Sequence, residues 1–322
     1  MMERREFMKK TAWTGLVLSS PATLSWAQDP ETSEKRHNPL PRRGYGSSEP
    51  LSIIGFGGIV VMNAEPAHAA RVVARAVDRG VNYFDVAPTY GDAQDKLGPA
   101  LEPYRDRVFL ACKTTRRDKA GAEEELNDSL KKLRTDHFDL YQLHALSTME
   151  DLDKASGPGG ALETFVQARE AGKIRHIGFS AHSAEVALAA MDRFDFDSIL
   201  FPFNFVCWHE AQFGPQVLAK AKEKNVARLA LKAMAYSPWP ENAQRDAYPK
   251  CWYQPVADPE LARKAVRFTL SLDITAAIPP GEETLFEMAL DIAENFQPLS
   301  PEEEENVKKL AQGVKPIFRL SA

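Results

Sequence analysis

Asn82-Tyr83-Phe84-Asp85-Val86-Ala87-Pro88-Thr89-Tyr90-Gly91 is a short apolar run that ends on an acid and opens into a loop containing Pro and Gly. A run of that length, bounded by turn formers, predicts a buried strand rather than a helix. The pattern recurs. Residues 108–113 form an apolar run ending on Lys113, and residues 138–144 form another ending on His144. Further strand candidates are 52–55, 174–180, 198–202, 228–232 and 275–278. Between them lie helical patterns at 65–79, 95–101, 122–132, 160–171, 183–191, 215–224, 259–271 and 284–295. A last helix, 301–312, starts after Ser300 with acids in its first turn, where capping and the helix dipole favour them.

Eight strand–helix alternations predict an α/β fold, a (β/α)₈ TIM barrel with a C-terminal helix. A doubly wound sheet competes, but it usually opens with G-x-G-x-x-G leading into a helix. Gly55-Phe56-Gly57-Gly58 lacks the third glycine at that distance and reads as a bend after the first strand. Residues 42–50 read as a hairpin closing the bottom of the barrel. Residues 236–256 carry aromatics and prolines without periodicity and read as a long loop over its mouth.

The N-terminus reads differently. Glu3-Arg4-Arg5-Glu6-Phe7-Met8-Lys9-Lys10 is followed by a broken apolar stretch and then Ser25-Trp26-Ala27, a small-x-small cleavage site. This is the pattern of a twin-arginine export signal over 1–27, with the export machinery as partner and a periplasmic location as the consequence. The stretch is too short to span a bilayer, so no stable membrane insertion is expected after cleavage. Residues 28–43 read as a polar, flexible lead-in, and 44–322 as the barrel. The net charge is −5, and loss of a leader with four bases and two acids leaves −7. That balance favours neither nucleic acid nor anionic lipid. Three cysteines make no disulfide framework. Cys112 lies in an apolar strand, while Cys207 and Cys251 lie in loop-like segments where an oxidising compartment would let them pair. No Cys-x-x-Cys occurs, and no metal is expected.

Barrels of this kind do their chemistry at the carboxyl ends of their strands. Asp85, Tyr90, Lys113 and His144 all fall there. Carbonyl reduction takes a hydride to carbon, which only a cofactor supplies, and a proton to oxygen. A tyrosine can give that proton if a nearby ammonium lowers its pKa. Lys113 offers the charge, Asp85 a counter-ion to hold it, and His144 a group to orient the carbonyl. Each residue alone has an ordinary structural explanation. Four at the ends of three successive strands point to chemistry.

These motifs resemble the aldo-keto reductases, NAD(P)-dependent (β/α)₈ enzymes with an Asp-Tyr-Lys-His tetrad. The match runs through 85–91, Leu97-Gly98, Lys113, the segment 139–144 and the segment 172–180. The resemblance implies Asp85, Tyr90, Lys113 and His144 as catalytic residues. It implies Ser180, Asn204, Lys232, Gly281 and Glu282 around an NAD or NADP cofactor. The chain also departs from the family. Ala181 follows Ser180 where Asn is usual, and Leu200 stands where the family has Gln. After the seventh strand, Ala230-Leu231-Lys232 and Ala235-Tyr236-Ser237-Pro238 each resemble a family variant, which leaves the residue beside the nicotinamide open. No Lys or Arg lies between Arg267 and Lys308, while Glu282 and Glu283 sit where the family holds a 2′-phosphate. Two acids there tip the balance slightly toward NAD.

The substrate expected is a small carbonyl compound or alcohol: an aldehyde, ketone or sugar. Trp208, His209, Trp239, Trp252 and Tyr253 are the aromatic and polar groups available to the mouth. Two other readings compete: a non-catalytic or regulatory dinucleotide-binding protein on the same scaffold, and a metal-dependent barrel enzyme. The second needs converging carboxylates or histidines, of which only Asp85 and His144 are candidates.

Overall fold

A computed structural model describes residues 39–46 and 48–320. The expected export signal and most of the lead-in lie outside them. The described residues fall within one compact unit, His37–Ala322. Among them, no helix is long and apolar enough to cross a membrane.

Eight parallel strands stand in chain order in one sheet: Phe56–Gly57, Tyr83–Asp85, Phe109–Thr114, Phe138–Leu146, Ile174–Ala181, Ser198–Pro202, Ala227–Leu231 and Ala276–Ile278. Ile54 bridges Ala277 in parallel, so the last strand meets the first and the sheet becomes a barrel. This seam is narrow. Gly55 N donates to Ala277 O at 2.9 Å, and Ala277 N to Ile53 O at 2.9 Å. A hairpin of Arg42–Tyr45 and Ser48–Ser52 plugs the base, as expected. Its Tyr45 hydroxyl donates to Ser198 Oγ at 2.9 Å, and its ring packs edge-on against Phe109.

Alternation along the strands sorts the core into two bodies. Tyr83, Phe109, Ala111, Leu140, Leu200, Leu229 and Ala276 fill the barrel interior. Phe84, Leu110, Tyr141, Ile177, Phe201 and Ala277 face outward against the helices. The helical layer shows why Leu97-Gly98 is a motif. A side chain on Gly98 would come within 2.2 Å of Lys132 O, so only glycine lets the helix Ala93–Leu101 approach the end of the helix Lys119–Lys132.

Some expectations need correction. Residues 52–55 are only the leading part of the first strand. Ser52 still belongs to the base hairpin and donates to Ile54 O at 2.7 Å, Ile53 to Gly55 bond to Ala277 of the last strand, and pairing with the second strand starts at Phe56. Two short helices, Met149–Ser156 and Phe205–Ala211, arise where none was expected. The segment 236–256 is not all loop. Ala235–Pro238 and Tyr253–Pro255 pair antiparallel at its two ends. All three cysteines are buried free thiols.

Candidate active site

Asp85 closes its strand on the inner face, two residues beyond Tyr83, and Lys113 stands next to the end of its own strand, two positions beyond Ala111. Parallel register sets Asp85 level with Ala111, so the longer lysine side chain reaches across. The two form an ion pair, with 2% of Asp85 and 0% of Lys113 exposed. The other carboxylate oxygen accepts from Gln142 Nε2 at 3.0 Å and from the Tyr83 hydroxyl at 3.4 Å. Burial pulls the Lys113 ammonium down, but Asp85 and Tyr90 together outweigh it, and its pKa stands above the ordinary lysine value.

Tyr90 lies half-buried above this pair, with the Lys113 ammonium 5.4 Å from its ring centroid. The expected depression of its pKa is not met. Burial raises it, and Lys113 only partly offsets the rise, so the phenol keeps its proton. His144 meets the Tyr90 ring edge-on, with centroids 5.7 Å apart. Its pKa falls to about 2, first through burial and then through the charges of Lys113, Lys232 and Arg117 and the nearby His182. It is therefore a neutral imidazole. Thr89 Oγ1 lies 3.4 Å from Nδ1, and a hydroxyl donating there would leave the proton on Nε2.

Asp85, Tyr90, Leu200, Lys232 and Gly281 line one cavity of about 110 Å³ at the barrel mouth. A larger groove of about 590 Å³ lies on the outer helical surface and includes none of these residues. Pairing of Leu231 with Pro202 and with Ile278 resolves the seventh strand: it ends at Leu231, and Lys232 is the residue presented to the mouth. Tyr236 instead packs toward Phe205. Gly281 admits no side chain, because a Cβ there would meet Ile59 at 2.2 Å.

The other residues expected near a cofactor hold walls. Ser180 Oγ accepts from Ala145 N at 2.8 Å and fixes the left-handed turn that follows His144. Asn204 is fully buried as the cap of Phe205–Ala211, accepting from Cys207 N at 2.9 Å. Glu282 accepts from Lys250 N at 2.6 Å. Glu283 pairs with His68 at 2.7 Å and Arg75 at 2.8 Å. Both carboxylates thought to repel a 2′-phosphate are thus engaged: Arg75 offsets the charge of Glu283, while Glu282 keeps its charge against a backbone N–H.

Gln142, Tyr83 and Phe318 escaped notice in the sequence. The first two had a signal. Each stands two residues before a candidate on the same strand, hence on the same inward face. Phe318 had none, because its packing on His182 joins elements far apart in the chain. Among the expected mouth aromatics, Trp252 packs edge-on against both Tyr253 and Phe318, while Trp208 and His209 pack on Phe268 instead. Among the described residues, no cluster of three or more His, Cys, Asp or Glu is placed to hold a metal.

Comparison with known proteins decides the lineage. The profile of the aldo/keto reductase family matches residues 54–276. The chain belongs to that family. Among curated relatives, this aldo-keto reductase is 30% identical over 197 residues to aldo-keto reductase YhdN of Bacillus subtilis, covering 56% of each chain. It is 27% identical over 197 residues to the 6-dehydroglucose reductase of Novosphingobium aromaticivorans, covering 54% of this chain and 59% of that one. The chain thus spans a little over half the length of these relatives. Among solved structures, it superimposes on aldo-keto reductase AKR11C1 of Bacillus halodurans, holo form, with a TM-score of 0.67 at 23% identity, covering 86% of this chain and 98% of that one. The glycerol dehydrogenase AKR11B4 of Gluconobacter oxydans gives 0.63 at 20% identity, covering 88% and 98%. At such identities these likenesses speak for the fold.

Proposed function

We propose that this aldo-keto reductase interconverts a carbonyl compound and an alcohol with a nicotinamide cofactor, using Tyr90 as proton donor or acceptor. The observation that carries the reading is the buried Asp85–Lys113 pair directly under a tyrosine that lines a cavity. Burying an ion pair seldom adds stability over apolar packing, so its position calls for a chemical use. Membership of the family, and a relative named as a reductase, support the same class.

The dinucleotide, when bound, supplies or takes the hydride. The chain supplies the rest. Tyr90 holds a proton in the free protein and delivers it to the substrate oxygen as negative charge develops there. Lys113 stabilises the phenolate left behind, and Asp85, itself held by Gln142 and Tyr83, keeps Lys113 charged and in place. Neutral His144 donates from Nε2 to the same oxygen and orients it. The cofactor's chemistry fits the cavity wall: Leu200, Leu231 and Ile278 offer an apolar face for a ring, and the Gly281 turn lets backbone come close. The cavity is small beside pockets for drug-sized ligands, which start near ~300 Å³, so cofactor and substrate share it only if it widens. NAD and NADP both remain within this reading.

The test is Tyr90→Phe. Hydride transfer falls by at least a hundredfold while NADH or NADPH binding, followed by fluorescence, keeps its Kd. Equal loss of both would assign Tyr90 to binding. One observation favours a second reading. Buried Ala181 and Leu200 replace the two amides with which the family usually grips the carboxamide. A regulatory dinucleotide-binding protein would keep NADH bound and never oxidise it, whatever carbonyl is offered.

We also propose that residues 1–27 direct twin-arginine export to the periplasm, with the dinucleotide loaded beforehand and carried out tightly held. Substituting Arg4 and Arg5 by Lys together should strand the protein inside the cell. Denaturing natively exported protein should release NAD or NADP in stoichiometric amount; an empty protein refutes the captive cofactor.

A further inference from the structure

Lys232 is set apart from the other cations of the mouth. Lys113 has Asp85, Arg117 has Asp151 at 3.6 Å, and Lys250, which lines the same cavity, donates its ammonium to Val60 O at 2.8 Å and feels the charges of Glu282 and Glu283. Among the described residues, Lys232 pairs with no carboxylate. Its ammonium lies between two aromatic rings, 5.6 Å from the Trp252 centroid and 5.7 Å from that of Phe318, and 3.4 Å from His182 Nε2. Those rings reward a positive charge but do not neutralise it. His182 is kept neutral by burial and by Lys232 itself, so it accepts from the ammonium rather than repelling it. The remaining charges that Lys232 feels are Lys113, already paired, and Cys207, whose thiol burial keeps protonated. The result is a desolvated amine without a counter-ion, which an arriving anion would hold in its charged form. Burial lowers its pKa to about 7, which is what a missing anion leaves behind.

Resting on the reductase reading above, we infer that Lys232 recognises a carboxylate on the substrate, so that the natural substrates are carbonyl compounds or alcohols bearing a carboxylate group. Lys232 and Tyr90 line the same small cavity, which places the anion-binding and proton-donating ends of one molecule in one space. The size of the group follows from the donors. One ammonium, with an aromatic wall on two sides, matches two carboxylate oxygens. A phosphoryl group, with three oxygens and up to two charges, calls for several cations or an array of backbone donors. The alternative source of an anion is the dinucleotide's own pyrophosphate, and the two sources separate experimentally.

The experiment uses the full chain and a matched pair, 4-carboxybenzaldehyde and its methyl ester, with benzoate as a non-reacting anion. Benzoate binding is followed by the fluorescence of Trp252, which stands at the site with 52% of its surface exposed. The wild-type protein should bind benzoate and prefer the acid over the ester by at least tenfold in kcat/KM. Lys232→Met should lose benzoate binding and bring the ratio to about one, while Lys232→Arg should restore most of both. Turnover of both aldehydes without preference, or a ratio untouched by Lys232→Met, overturns the inference and leaves the reductase reading standing. Benzoate binding that depends on Lys232 without turnover of either aldehyde supports the anion site and counts against the reductase. Loss of NADH binding in Lys232→Met in step with loss of benzoate binding assigns the charge to the pyrophosphate and overturns the inference. Lys232→Gln, a smaller change in polarity, repeats each arm if the Met variant folds poorly.

Discussion

Asp85→Asn should destabilise the protein by about 3–5 kcal/mol, the range for removing one partner of a buried ion pair. The figure belongs to the high end of single substitutions because of three features of the site. Lys113 is fully buried, so water cannot replace the lost charge. Its pKa is held up chiefly by Asp85 against burial, so loss of the carboxylate either strands a charge or forces deprotonation. Gln142 Nε2 and the Tyr83 hydroxyl both donate to Asp85, and Gln142 Oε1 already lacks a partner among the described residues. A second variant isolates the cause. Asp85→Asn combined with Lys113→Met removes the stranded charge and should recover more than half of the loss, a strongly non-additive pair. Urea unfolding followed by tryptophan fluorescence and by far-UV circular dichroism gives both numbers. A single variant within about 1 kcal/mol of wild type would refute the argument, as would a double variant no better than the single. Either result would mean that solvent reaches this pair in a way its burial does not allow.

Gly98→Ala should cost about 1–3 kcal/mol through overpacking, because the Lys132 carbonyl that its methyl would meet is backbone and gives little; thermal unfolding reports it. Acid should destabilise the fold through His144 and His182, whose pKa values fall to about 2 and about 3 while the unfolded chain titrates near 6.5. Between those limits the unfolded state binds protons that the folded state refuses, so stability falls as pH falls below about 6.5, by at most about 1.4 kcal/mol per unit per histidine. Both rings are partly exposed, so roughly half that slope is expected, and His182→Asn should flatten the urea midpoint against pH. Phe318→Ala should cost about 1–2 kcal/mol and shift the emission of Trp252, because this ring stacks on His182 and Phe213 and meets Trp252 edge-on.

The barrel was legible because its strands and helices differ in period and length, and because short apolar runs ended in turn formers. Seven of the eight barrel strands lie where the runs placed them, within one or two residues. The first runs on past 52–55 to Gly57, because Ser52 belongs to the base hairpin, which apolar content does not reveal. Met149–Ser156 was missed because two helical turns show too little periodicity, although Thr148 caps it by accepting from Asp151 N. In the site, the tetrad positions were readable because strand ends carry the chemistry of such barrels. Their electrostatics were not. Tyr90 was expected to be acidified by Lys113, yet burial dominates, and burial is a property of the assembled mouth rather than of any motif. Glu282 likewise looked free to face a ribose, but Lys250, a residue of the poorly patterned segment 236–256, folds back and donates its backbone N–H to it.

The seam of the barrel bears on how the protein is made. Arg43, near the start of the described chain, donates to the carbonyls of Ile274 and Leu270 at 2.7 Å each, and Ile54 meets Ala277. These contacts span more than two hundred residues, so the loop-closure entropy they carry is met only late. A ribosome would have to release nearly the whole chain before the base hairpin found its partners. Until then the inner faces of seven strands would be waiting on the eighth. A nascent chain stalled before residue 276 would therefore show helices and strand pairs but no closed barrel. Resistance to protease would arrive abruptly with the last forty or so residues rather than growing with length.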